Sequence, residues 1–103
     1  MSNLQYPVSS PQTWTVSRLT RHITQLLESD DLLQDIWLHG EISNPRQYPS
    51  GHLYFTLKDQ DAALSCVMWR SAAGRLTWQP EQGDAVLAHG HISVYAVRGN
   101  YQL

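Results

Sequence analysis

Residues 51–69, Gly51-His52-Leu53-Tyr54-Phe55-Thr56-Leu57-Lys58-Asp59-Gln60-Asp61-Ala62-Ala63-Leu64-Ser65-Cys66-Val67-Met68-Trp69, decide the architecture. Leu53, Phe55 and Leu57 alternate with His52, Tyr54, Thr56 and Lys58, the period of two that sends successive side chains to opposite faces of a strand. Asp59–Ala62 is a run of turn formers and predicts a hairpin. Ala63–Trp69 then predicts another strand, with Leu64, Cys66 and Met68 on one face and Ser65, Val67 and Trp69 on the other. Upstream, Ile36, Leu38, Gly40 and Ile42 alternate with Trp37, His39, Glu41 and Ser43, a further strand. The stretch between, Asn44–Gly51, reads as a loop from its prolines and glycine. Downstream, Ser71–Leu76 reads as a short helical or irregular linker and Pro80–Asp84 as a turn. Ala85–Val97 reads as one long strand that bends near Gly90. Arg98-Gly99-Asn100 is a tight turn, and Tyr101-Gln102-Leu103 starts a last strand.

Ahead of the strands, Val16, Leu19, Ile23, Leu26 and Leu27 fall on one face of a 3.6-residue period and predict a helix. Thr15 is its expected N-cap, and Ser29-Asp30-Asp31 its expected stop. Residues 1–13 mix Ser, Pro, Gln and Asn without a period and read as a flexible arm. The expected unit therefore covers residues 14–103. It is mainly β: a leading helix, three meandering strands, a short helical linker, and two further strands. That is the layout of a five-stranded OB-fold barrel. An SH3-like barrel is the nearest competitor, and the helical linker between the third and fourth strands favours OB. A barrel closing on so short a last strand would be poorly sealed, so the sequence is expected to be a piece of a longer protein.

Composition narrows the function. The 103 residues fit one core, at 42% apolar and 16% charged. No apolar run approaches the ~20 residues of a membrane helix, and the first residues lack the basic start and apolar core of a secretory signal. The lone Cys66 lies in an apolar run and reads as a small core residue in a reducing, cytoplasmic setting. The formal net charge is −2, which argues against binding nucleic acid by charge alone. The acids Glu28, Asp30, Asp31, Asp35 and Glu41 cluster, whereas the bases are scattered, so any cationic surface must be assembled by folding. His89-Gly90-His91 sets two imidazoles on one strand face, but a closed zinc site needs four ligands and none is near. Asp59 and Asp61 are ordinary turn residues. No catalytic triad or glycine-rich phosphate loop is visible, and neither a cofactor nor a metal is expected.

Gly40-Glu41-Ile42-Ser43-Asn44, Ser50–Asp59 and Cys66-Val67-Met68-Trp69-Arg70 resemble the N-terminal domain of the exonuclease VII large-subunit family. So do Gly90–Tyr95, Arg98–Leu103, Thr15–Leu19 and Leu26-Leu27-Glu28, so the resemblance covers nearly the whole chain. It implies an OB-type single-strand binder within a cytoplasmic bacterial exodeoxyribonuclease. Such an enzyme degrades single-stranded DNA to oligonucleotides and assembles from large and small subunits. The resemblance also implies a hydrolytic centre in a region after this one, so no catalytic residue carries over and the piece alone is expected not to cut DNA. Arg18 replaces a glutamate common in the family, and Ser65 a common basic residue.

Single-strand binders pair cationic grooves with aromatic platforms, and OB folds present them on the second and third strands and the flanking loops. The candidates are Arg46 and Tyr48 in the first loop, His52, Tyr54 and Lys58 on the second strand, Trp69 after the third, and Arg98 and Tyr101 at the last turn. Each has a plainer role: Tyr54 as a cross-strand packing residue, Trp69 half-buried at the barrel edge, Lys58 a solvated charge, and the arginines ordinary loop-tip cations. The alternative function is a protein–protein docking module for subunit assembly, which suits the acidic run. Transfer-RNA binding is a neighbouring possibility for an OB domain, against which the family motifs argue. The short last strand also predicts an exposed edge able to pair with a second copy.

Overall fold

A computed structural model describes residues 13–95 and 98–103. Apart from Thr13, the arm expected at the start lies outside the described residues, as do positions 96–97 of the expected long strand. Helix α1 spans Val16–Glu28. Thr15 caps it as the sequence requires, its Oγ1 accepting from the Arg18 backbone N–H at 3.1 Å. Arg18 lies over the Trp14 ring, 4.4 Å from its centroid, so its contribution at the helix start is a cation–π contact. At the other end Asp30 accepts from the Leu32 N–H and caps a second, four-residue helix, α2, Asp31–Gln34.

Four strands form one antiparallel sheet: β1 (Ile36–Gln47), β2 (Leu53–Lys58), β3 (Ala63–Met68) and β4 (Ala85–Gly90), in the order β3-β2-β1-β4. The short helix α3, Arg70–Ala73, follows β3. A separate pair, β5 (Ser93–Tyr95) and β6 (Asn100–Gln102), completes the element list. Registers set Leu53, Phe55 and Leu57 opposite Met68, Cys66 and Leu64, and Ile42 opposite Leu57. This is the apolar face that the alternation predicted. Ile42, Leu53, Leu57 and Cys66 are its buried centre, with Ile92 joining from the β4–β5 connection. Gly40 lets β1 pass close to β2, since a Cβ there would meet Leu57 Cγ at 2.9 Å. Ile23 and Leu27 of α1 cover one end, lining a cleft of about 520 Å³ with Leu33, Leu38, Leu64 and Ile92. Much of the helix's apolar face stays uncovered, with Val16 82% and Leu26 58% exposed.

Three sequence expectations need correction. First, Asn44–Gln47 is strand, not loop. The pairing register jumps between Ser43 and Arg46, and Asn44 adopts φ 52° while its N–H donates to Gln82 Oε1 at 2.7 Å. A bulge of this kind absorbs Pro45, which has no N–H to give the ladder. Second, the long strand breaks after Gly90. The Ile92 N–H donates to the Leu33 carbonyl at 2.8 Å and the Ile92 carbonyl accepts from Gln34 Nε2, so α2 draws the chain away from β1. Third, the sheet is not a closed five-stranded barrel. Among the described residues, β5–β6 forms no ladder with β3, and the backbone bonds to β3 are those of Leu103, just after β6, whose N–H donates to the Ser65 carbonyl and whose carbonyl accepts from the Val67 N–H.

The β2–β3 hairpin turn is tied by one carboxylate. Asp59 Oδ1 accepts from the N–H groups of Asp61 and Ala62 at 2.8 and 2.9 Å. These two bonds hold its pKa below the ordinary aspartate value, with His39 adding a smaller effect in the same direction. A depressed folded-state pKa means that the turn's stabilising contribution is full above the unfolded-state pKa and is lost as pH falls through the folded one. Acid melting curves are therefore expected to show a small extra destabilisation below the ordinary aspartate range. That slope disappears in Asp59→Asn; an unchanged acid slope in the variant would exclude the turn as its source.

Candidate nucleic-acid interface

The outer face of the sheet follows from the same alternation. Tyr54, Thr56 and Lys58 stand opposite Arg46, Ser43 and Glu41 on β1 and opposite Val67, Ser65 and Ala63 on β3. The bulge at Asn44 is what brings Arg46, rather than Pro45, across from Tyr54.

The aromatic candidates gather at the start of β2. Tyr48 and Tyr54 meet edge to face, with centroids 5.1 Å apart and an interplanar angle of 86°. His52 and Trp69 make a second such pair at 5.1 Å and 85°. Three of the four rings are exposed, Tyr48 46%, Tyr54 40% and Trp69 52%, and His52 is half-buried. The loop that carries them is tightly tied. The Tyr48 N–H donates to the His52 carbonyl at 3.0 Å and the Gly51 N–H to the Tyr48 carbonyl at 2.8 Å. His52 Nδ1 accepts from the Arg70 backbone N–H at 2.9 Å, which puts the proton of the neutral ring on Nε2. Gly51 has φ +93°, and a Cβ there would meet Arg70 Cγ at 2.7 Å. Position 51 thus needs glycine both for its left-handed backbone and for the arginine stem lying against it.

Arg70 also belongs to this end of the sheet, which the sequence pattern does not show. It follows Trp69 directly, and only the folded return of α3 onto the β1–β2 loop shows that it stands beside His52 and Gly51. Among the described residues, none of Arg46, Lys58, Arg70 or Arg98 is held in an ion pair. Arg46 and Arg70 therefore bring uncommitted charge to the aromatic end of the sheet.

The other candidates lie elsewhere. Lys58 is at the far end of β2 from Tyr54, about 13 Å along the strand by its four-residue rise, and faces Glu41 across the ladder. Tyr101 stands opposite Val94 and lines clefts with Leu38, Leu64 and Ala62, near the β2–β3 turn. Arg98 is exposed in the β5–β6 turn, where its N–H donates to the Tyr95 carbonyl. The structure thus joins Arg46, Tyr48, His52, Tyr54 and Trp69 and sets Lys58, Arg98 and Tyr101 apart from them. Cys66 is in the core, and burial pushes its thiol pKa up to about 11, far from a nucleophile's range. His89 is engaged by Asp35 and stacks on Trp37 with centroids 4.4 Å apart.

Comparison with known proteins bears on this face. Residues 14–103 match a family described as OB-fold nucleic acid binding domain. An exodeoxyribonuclease 7 large subunit from Halothermothrix orenii is 47% identical over 89 residues, 86% of this chain and 22% of that protein. The protein of the same name from Acholeplasma laidlawii is 48% identical over 89 residues, 86% of this chain and 20% of its own. That from Klebsiella pneumoniae is 44% identical over 97 residues, 94% of this chain and 20% of its own. The chain spans about a fifth of the length of these relatives.

Proposed function

The chain belongs to the family of OB-fold nucleic acid binding domains, and from that premise we propose that it holds single-stranded DNA as one unit of a cytoplasmic exodeoxyribonuclease of the exonuclease VII kind. In that setting it positions DNA for hydrolysis elsewhere in the subunit, and the small subunits join the same complex. The observation that carries the reading is the uncommitted pair Arg46 and Arg70 around two ring pairs, Tyr48–Tyr54 and His52–Trp69, that expose Tyr48, Tyr54 and Trp69. Unpaired bases have free π-faces to stack on such rings, whereas a duplex hides them. With a net charge of −2, stacking must supply more of the affinity than charge does.

The test is fluorescence anisotropy of a labelled oligonucleotide titrated with the protein at several salt concentrations, against a duplex control. Saturable binding that prefers the single strand is expected. Two or three phosphate contacts give a slope of log K against log salt of about −1.5 to −2. Equal affinity for duplex, or no binding at low salt, would overturn the reading.

A second reading has its own observation. Helix α1 and its neighbour α2 leave Val16, Leu26 and Leu32 exposed, 82%, 58% and 79%, which suits docking against another protein surface. It gains if Leu26→Ser abolishes co-purification with small subunits while DNA binding is unchanged.

A further inference from the structure

Another ring pair stands outside the interface described above. Trp37 of β1 lies opposite His89 of β4, and their rings stack with centroids 4.4 Å apart and planes 17° from parallel. The Asp35 carboxylate engages His89 Nε2 and so fixes the imidazole against the indole. One face of Trp37 is thereby covered, yet the residue is still 64% exposed, so its other face is open. The free ring face is backed by a held ring and needs no ordering before it stacks.

Trp37 shares the outer face with the candidate interface. Residues 37, 39, 41 and 43 of β1 alternate to one side, and Glu41 and Ser43 are the ones that face Lys58 and Thr56. The register jump after Ser43 keeps Arg46 in the same row, across from Tyr54. One strand thus carries the Trp37–His89 pair at its start and Arg46 at its end, about 30 Å apart at the rise of a strand. Between them lies an open cleft of about 770 Å³, lined on this face by His39, Glu41, Lys58 and Leu87. Lys58 and Glu41 stand opposite each other there, so the middle of the row carries little net charge.

We propose that the Trp37–His89 pair is a second base-stacking platform, taking a base from the far end of a single strand held at Tyr48, Tyr54 and Trp69. This rests on the reading that the face binds single-stranded DNA, and it extends the path along the outer row of β1. OB folds occupy roughly 4–16 nucleotides, and the longer part of that range spans both ends. Asp35 sits beside His89, and the outer row from Trp37 to Glu41 and from Ala85 to His89 holds no Lys or Arg. The platform therefore contributes through stacking, which every base can make, and not through phosphate contact.

The test titrates the full chain, as wild type, Trp37→Ala and Trp37→Phe, with labelled oligothymidines of about 4 and about 12 nucleotides, read by fluorescence anisotropy. The shorter oligomer cannot reach from Tyr54 to Trp37. Trp37→Ala is expected to weaken binding of the longer oligomer about 5- to 150-fold, the effect of losing one base stack, and to leave the shorter one unchanged. Trp37→Phe keeps a ring on the same backing and recovers most of the binding. The slope of log K against log salt stays the same in all three proteins, since no cation is removed. Wild-type affinity of Trp37→Ala for the longer oligomer overturns the proposal while the DNA reading stands, and it assigns the open ring to a protein contact. Equal weakening of both lengths overturns it as well, because the change then acts through the fold. Binding of neither oligomer by the wild type removes the DNA reading itself, and the platform with it.

Discussion

Tyr54→Ala is expected to weaken binding of a single-stranded oligonucleotide by about 1–3 kcal/mol, the usual contribution of one base–aromatic stack, or about 5- to 150-fold in Kd. Tyr54 is the central ring of the face: it stands opposite Arg46 and Val67 and braces Tyr48 edge-on. Its removal therefore takes away one platform and leaves Tyr48 without its supporting ring, so Tyr48→Ala and the double variant should be less than additive. Its ring is 40% exposed and belongs to the outer row, so the loss of packing is small and the melting temperature changes little. Tyr54→Phe keeps the platform and is expected to bind nearly as the wild type does. Lys58→Ala is the counterpart at the far end of β2, where Glu41 already faces the lysine, and should cost far less. A Tyr54→Ala protein that binds as well as wild type, with Lys58→Ala impaired, would move the binding path to the β2–β3 turn.

How much of this was legible in the sequence depends on the range of the interactions involved. The alternation in Leu53–Lys58 and Ala63–Met68 fixes which side chains share a face, and the hairpin between them fixes the register, because both are local. The grouping of Tyr54 with Trp69 follows from that pairing alone. Pro45 punctuates the sequence and makes Arg46 read as a loop residue. Only the long-range bond from Asn44 to Gln82 shows that the strand continues through a bulge. The break after Gly90 is likewise made by α2, far away in sequence, through Leu33 and Gln34. Arg70 entered the site by the same kind of contact, with His52 eighteen positions earlier. Period and turn chemistry report on neighbours in the chain; the ends of strands and the rims of sites are set by partners that these signals do not name.

Leu57→Ala is expected to have the largest effect on stability, about 2–5 kcal/mol, because a large side chain is deleted from a site with little room to collapse. Leu57 is 5% exposed and lies across from both Ile42 and Leu64, at the join of β1, β2 and β3. It also packs over Gly40, where β1 comes close enough that even a methyl group would collide with it. The wall opposite Leu57 is therefore backbone, which cannot shift inward to fill a void. A domain of this size shifts its melting temperature by about 4–8 °C per kcal/mol, so a fall of at least roughly 10 °C should appear in thermal unfolding followed by circular dichroism. The buried core is small, with Ile42, Leu53, Leu57 and Cys66 as its sheet members, so few contacts elsewhere share the load. DNA affinity of the remaining folded fraction should be unchanged, since Leu57 faces away from Tyr54. A loss below about 1 kcal/mol would mean that the sheet's inner face is looser than its packing indicates, and that the open cleft beside β3 lets neighbouring side chains move into the space.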